Sequence, residues 1–320
     1  MWWNDTILSM SRQSFLSQGI DRATPLALAL LLAGCGGPAS ILAPEGPIAS
    51  ADLAILLNAL AIMLVIVVPT ILATLGVAWW YRAGNARARY RPDFVYSGRV
   101  ELIVWSIPIM VILFLGGMIW IGSHDLDPRR PIPSRQPPLE VQVVSLDWAW
   151  LFIYPQQQVA SVNALALPVG VPVHLRLTSA SVMNSFFVPR LGSQIYAMNG
   201  METQLNLRAD QAGQFYGQSA HFSGDGFSDM HFAVQALPGV GFAQWVKAAQ
   251  ASQSILDDRS FADLARQHRL IAPSTMRAPQ GTLFDTIVAQ HIAPAPGPQL
   301  GPVGHAQSAP SSSGAQNHAG

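Results

Sequence analysis

The side chains with the clearest capacity for chemistry lie close together in one stretch, residues 216–232, YGQSAHFSGDGFSDMHF. His221 and His231 bring imidazoles, Met230 a thioether, Ser219 and Ser223 hydroxyls, and Phe227 an aromatic ring. Thioether beside imidazole is donor chemistry that suits copper. A mixed-valence dinuclear copper centre, however, needs two bridging thiolates, and a blue copper site needs one thiolate with two imidazoles. The chain has a single cysteine, Cys35, far upstream, so no such centre can form here. A weaker site made from His221, His231 and Met230 is the remaining metal reading, and it lacks a fixed ligand spacing. The plain alternative is a turn-rich Gly/Ser loop that never held a metal.

Two other residues invite a chemical role. Leu32-Ala33-Gly34-Cys35 has the form of a lipobox, in which the cysteine is acylated and becomes the mature N-terminus. Glu101 is an ionisable group at the start of an apolar run, where its plain reading is an interfacial carboxylate that faces headgroups or pairs with Arg99.

The elements that must position these groups follow from composition and pattern. Charged residues make up 11% of the 320-residue chain, against roughly 25% in a soluble domain, which favours a membrane class. Net charge is zero, and a nucleic-acid partner is not expected without clustered cationic surface. Residues 1–34 read as a lipoprotein signal peptide, with Met10 as an alternative start, and 35–52 as a periplasmic spacer. Residues 53–81 and 100–122 read as transmembrane helices 1 and 2, each long enough for a ~30 Å hydrocarbon core and each carrying an internal proline, Pro69 and Pro108. Neither span contains a histidine until His124, beyond the second, so neither offers the usual axial ligand to a membrane-buried haem.

The connecting loop, 82–99, carries Arg82, Arg87, Arg89, Arg91 and Arg99 against Asp93 alone. The positive-inside rule places it in the cytoplasm and both termini in the periplasm, the same side that acylation of Cys35 requires. The expected location is the bacterial inner membrane, with a lipid anchor at Cys35.

Beyond a linker at 123–139, residues 140–238 carry short strand-like runs at 141–144, 148–154, 171–177, 186–188, 204–207 and 232–234, separated by turn residues, with clear alternation at 173–178. These predict an all-β sandwich or Greek-key barrel, with the 216–232 loop between two of its last strands. Residues 239–292 read as a helical extension, with two amphipathic helices about an Asp257-Asp258-Arg259-Ser260 break and another near 283–292. Residues 293–320 read as a disordered tail, in which His305 and His318, like His291 before them, are solvated rather than ligands.

The loop resembles the copper loop of subunit II of haem-copper respiratory oxidases, whose pattern is Cys, three residues, Cys, three residues, His, two residues, Met. Those positions hold Ser219, Ser223, Phe227 and Met230 here; the family's backbone-carbonyl glutamate is His221, and its upstream histidine aligns with Asn184. Two further runs carry the resemblance, residues 147–155 (DWAWLFIYP) and 182–198 (VMNSFFVPRLGSQIYAM). The chain is similar above all to the quinol-oxidising branch, the cytochrome bo or ba type, which keeps the cupredoxin fold without its copper. The resemblance implies a two-helix transmembrane hairpin followed by an all-β cupredoxin-like periplasmic domain with a short C-terminal helical extension.

It further implies a non-redox subunit of a proton-pumping ubiquinol oxidase, lacking copper ligands at Asn184, Ser219, His221, Ser223 and Phe227 and retaining Met230. No metal or cofactor is expected in this chain; haems and one copper are expected in a large subunit I. Other expected partners are smaller membrane subunits, ubiquinol and the bilayer, with no cytochrome c docking. Glu101 matches a glutamate that marks the entrance of a proton channel in the family, whereas Trp148 and Trp150 are read as scaffold. Two competing readings remain: a copper-handling periplasmic cupredoxin-like lipoprotein and, against the single cysteine, a cytochrome c oxidase subunit II.

Overall fold

The computed structural model describes residues 40–89, 92–266, 271–279, 281–292 and 295. The signal and lipobox readings, Cys35 included, and nearly all of the tail lie outside the described residues.

Two long helices form the apolar part. Helix α1, Pro47–Trp80, starts with proline at its first turn, where a missing N–H is no loss. It therefore begins before position 53, inside the stretch expected to be a spacer. Helix α2, Gly98–Asp125, likewise outruns its expected span at both ends. Both pass without a break through Pro69 and Pro108. The most apolar stretch of each is wholly unburied within the chain, so lipid or other apolar subunits must cover them. The two helices meet at the end nearest the β-domain, where a Cβ on Gly122 would stand 2.7 Å from Ile55 Cδ1.

The β-domain is a sandwich of two sheets. Strands β1 (Leu139–Ser145), β2 (Trp150–Tyr154), β3 (Val159–Val162), β5 (Val173–Ser179), β8 (Thr203–Leu207) and β11 (Ser274–Arg277) form one, in the order β11-β3-β2-β1-β5-β8. Strands β4 (Ala164–Pro168), β6 (Asn184–Phe187), β7 (Ile195–Ala197), β9 (Gly213–Ser219) and β10 (His231–Leu237) form the other, ordered β4-β10-β9-β6-β7. Parallel pairing of β1 with β5 and of β4 with β10 joins strands distant in sequence. Trp150, Phe152, Phe186 and Phe232 fill the space between the sheets, Phe186 stacking on Phe232 at 5.1 Å.

The C-terminal extension holds three helices, α3 (Gly239–Gln250), α4 (Asp258–Leu264) and α5 (Leu283–Val288), and it also supplies β11, a strand that the pattern did not suggest. Asp257, expected to lie in a break, is the N-cap of α4: its carboxylate accepts from Ser260 N–H at 2.8 Å. A second apolar cluster joins Leu256, Phe261, Met276, Phe284 and Ile287 to the outer face of the larger sheet, at Val144, Leu151 and Ile153. All five residues of β2 are consequently buried, and its two faces belong to two cores.

Helix α1 is bonded directly to the sandwich. Glu45 N–H donates to Arg190 O at 2.8 Å, Arg190 Nη2 meets Glu45 Oε1 at 2.5 Å, Ala49 N–H reaches Leu191 O at 3.3 Å, and Ser193 Oγ donates to Asp52 at 2.8 Å. The chain after α2 is held more lightly, by Asn206 N–H and Nδ2 on Pro128 O.

Candidate functional site

The antiparallel register of β9 and β10 pairs Gln218 with His231, and residues 220–230 close the turn with a single 3-10 turn at Phe227–Asp229. Strand β6 pairs with β9 so that Phe186 opposes Ser219, which brings Asn184, at the start of β6, beneath the loop.

Four of the six positions singled out in the sequence converge there. Asn184 is completely buried; its Nδ2 donates to Ser145 Oγ at 2.8 Å, and its Oδ1 accepts from Ser219 Oγ at 3.2 Å. The Ser219 hydroxyl also lies 3.3 Å from the His221 carbonyl oxygen. Ser223 Oγ faces Met230 Sδ at 3.9 Å, both residues buried. The other two positions point their rings elsewhere: Phe227 packs edge-on against Phe222 and His221 against Tyr196. His231 stacks on Tyr216, so the two imidazoles have separate aromatic partners.

The donor set is therefore one amide, two hydroxyls and one thioether. It does not fit a copper centre, which needs thiolate and imidazole, and the Asn184 amide and Ser219 hydroxyl are already bonded to each other. Among the described residues no three His, Cys, Asp or Glu side chains gather to hold a metal.

Trp148, read as part of a strand, lies instead in the turn before β2 with a left-handed φ of 65°. Its ring shields the loop: Nε1 donates to Ser223 O at 3.1 Å, and a Cβ on Gly226 would come within 2.2 Å of its Cδ2. Only glycine at position 226 lets the loop lie on that ring. Next to it, Ser181 Oγ donates to the buried carboxylate of Asp147. Ser145, Asp147 and Ser181 escaped the reading of the sequence; the run 147–155 drew attention to this turn without showing that it faces the loop. Trp150 is a core residue, edge-on to Phe186 at 5.3 Å.

Glu101 occupies the first turn of α2, far from this cluster, with its side chain exposed and without an ion pair among the described residues. A second charged group tethers the extension. Arg176 on β5 contacts Glu202 at 2.6 Å, Glu140 at 3.4 Å and Asp285 of α5 at 3.3 Å, and its guanidinium covers the Phe284 ring at 4.9 Å. Hydrogen bonding from Arg176 holds the Glu202 carboxyl below its ordinary value, and the same bonds raise Arg176.

The model for the periplasmic domain of cytochrome c oxidase subunit II matches residues 140–237. A ubiquinol oxidase subunit 2 from Acetobacter aceti is 43% identical over 274 residues, 85% of this chain and 88% of that one. The cytochrome bo(3) ubiquinol oxidase subunit 2 of Pseudomonas aeruginosa is 42% identical over 266 residues, 83% of this chain and 80% of that one. The crystal structure of the periplasmic domain of subunit II of a Bradyrhizobium japonicum cytochrome oxidase is 25% identical, covers 35% of this chain and 94% of that one, and has a TM-score of 0.34.

Proposed function

The chain belongs to the family of ubiquinol oxidase subunit 2, within the haem-copper oxidases, and from that premise we propose that it serves its complex without carrying electrons itself. The observation that carries this reading is the Asn184–Ser219 hydrogen bond, at two positions that the resemblance to the copper loop aligns with a histidine and a cysteine. The complex oxidises ubiquinol and reduces oxygen to water with proton pumping. Its reaction centres, haems and one copper, belong to subunit I, which these spans, free of histidine as far as Ile121, would leave as the ligand-bearing partner. With no metal relay in the sandwich, electrons enter from quinol within the membrane rather than from a docked soluble haem protein.

The parts then divide the work. Residues 140–238 cap subunit I on the periplasmic side of the inner membrane. The anchor at Cys35 and the two spans fix the subunit in the bilayer, and the arginines of 82–99 keep their loop cytoplasmic. Glu101, exposed at the cytoplasmic start of α2, offers a carboxylate through which protons pass into subunit I.

The test is to purify the complex in mild detergent through a tag on this chain, then measure haem, copper per haem, and rates with ubiquinol and reduced cytochrome c. A haem-bearing partner, one copper per complex and oxidation of quinol alone are expected. Copper in the separately expressed periplasmic domain, or isolation without a haem partner, would overturn the proposal.

A further inference from the structure

The loop between the two spans presents a cationic surface that no salt bridge among the described residues neutralises. Arg82, Arg87, Arg89 and Arg99 are all exposed, and none is paired with a carboxylate among the described residues. Asp93 is the sole acidic residue between α1 and α2. We propose that Arg82, Arg87, Arg89 and Arg99 bind the phosphate groups of anionic phospholipids in the cytoplasmic leaflet, a reading that rests on the topology given above.

Residues 80–89 turn on hydrogen bonds of their own. Asn85 Nδ2 donates to Trp80 O at 2.6 Å, capping the end of α1, while Asn85 N–H reaches Arg82 O at 3.0 Å and Ala88 N–H reaches Asn85 O at 3.1 Å. Arg87 N–H donates to Asn85 Oδ1 at 3.2 Å. Two successive turns thus use the loop's own polar groups and leave most guanidinium N–H groups to the outside. Arg82 lies over the Trp79 ring at 4.8 Å and its Nη1 donates to Trp79 O at 3.4 Å, so both contacts hold it at the end of the helix.

The surroundings select a lipid over other anions. Exposed Trp79, Tyr81, Phe94 and Tyr96 flank the arginines, the side-chain mixture that settles at headgroup level. The cytoplasmic leaflet carries the negative surface, and basic residues held near it are drawn to it. Every basic residue of the loop is arginine, although the chain does contain lysine, at 247. A guanidinium grips phosphate through two parallel N–H bonds, which an ammonium cannot do.

The experiment compares lipids that copurify with the intact complex from wild type, the R87Q/R89Q variant and the R87K/R89K variant, quantified by mass spectrometry. Phosphatidylglycerol plus cardiolipin per complex should at least halve in the glutamine variant, with phosphatidylethanolamine unchanged, and should be partly retained in the lysine variant. Unchanged anionic lipid in the glutamine variant, or cross-linking of the loop to subunit I in place of lipid, would overturn the proposal. Labelling of Ala86→Cys by an impermeant maleimide separates the two readings. Reaction in inverted vesicles alone upholds the cytoplasmic topology whatever the lipid result, and reaction from the periplasmic side refutes it.

Discussion

Ser219 Oγ donates to Asn184 Oδ1 across the boundary between β9 and β6, and the amide passes the chain on to Ser145 on the opposite sheet. The contact joins the two sheets at the end of the sandwich where the loop turns. Removing one member leaves a buried polar atom unpaired. Ser219→Ala is expected to cost about 1–2 kcal/mol, and the double change to Asn184→Leu with Ser219→Ala less than the sum of the two single changes. Thermal unfolding of the four proteins measures the coupling.

The spacing of Ser219, Ser223, Phe227 and Met230 makes a constructive prediction. Ser219→Cys, Ser223→Cys, Asn184→His and Phe227→His together would supply two thiolates and two imidazoles, beside Met230 and the His221 carbonyl. Copper binding with strong visible thiolate-to-copper absorption is expected for the fourfold variant. A colourless, copper-free protein would show that the loop backbone has drifted from a ligating geometry.

Gly226 should tolerate no side chain. Its φ of −91° is ordinary, so the obstacle is the Trp148 ring and not backbone strain. Gly226→Ala is expected to destabilise by about 1–3 kcal/mol. It should also lift the loop, seen as faster proteolysis between residues 219 and 231 and a red shift in tryptophan emission.

Acid should loosen the extension before the rest of the domain. Glu202 has its carboxyl lowered, mainly by the Arg176 hydrogen bonds, so its stabilisation is fully present above its ordinary value of 4.5 and disappears as pH falls through the lower folded value. Arg176 is raised and stays charged throughout. Protease cutting near α5 should therefore increase as the complex is taken below about pH 4.5, and Glu202→Gln should remove much of that dependence. Arg176→Gln should loosen α5 at neutral pH, at a cost of about 2 kcal/mol, because the hydrogen bonds lost are to charged groups.

Glu101→Gln is expected to lower quinol oxidase turnover several-fold with haem content and the quinol concentration for half-maximal rate unchanged, and Glu101→Asp to restore most of it. Equal turnover in all three proteins would mark Glu101 as an interfacial carboxylate only.

How far the sequence could be read depended on whether a signal was local. The spans and the polar outward His174 and Arg176 of β5 each sit within a short window, and each could be seen there. The capping role of Asp257 was visible in principle, since an Asp three residues before a Ser is an N-cap pattern, but it was read as an interruption. Strand β2 hid its partners because burial on both faces erases alternation. Strand β11 pairs along its length with β3, more than a hundred residues earlier, and nothing near Met276 announces that. Trp148 was the least legible: tryptophan has no preference for left-handed backbone, and only the assembled loop explains its position.

The bonded junction at Glu45–Arg190 and Asp52–Ser193 turns α1 into a mast fixed to its platform. Its 34 residues span about 50 Å, well beyond a bilayer core of ~30 Å, so the surplus turns stand clear of the lipid and carry the sandwich. A fixed mast transmits tilt. A thinner membrane that leans α1 over must swing the whole platform sideways, with the far edge of the sandwich moving most. The setting of the subunit above the membrane is thereby coupled to the thickness of the lipid below.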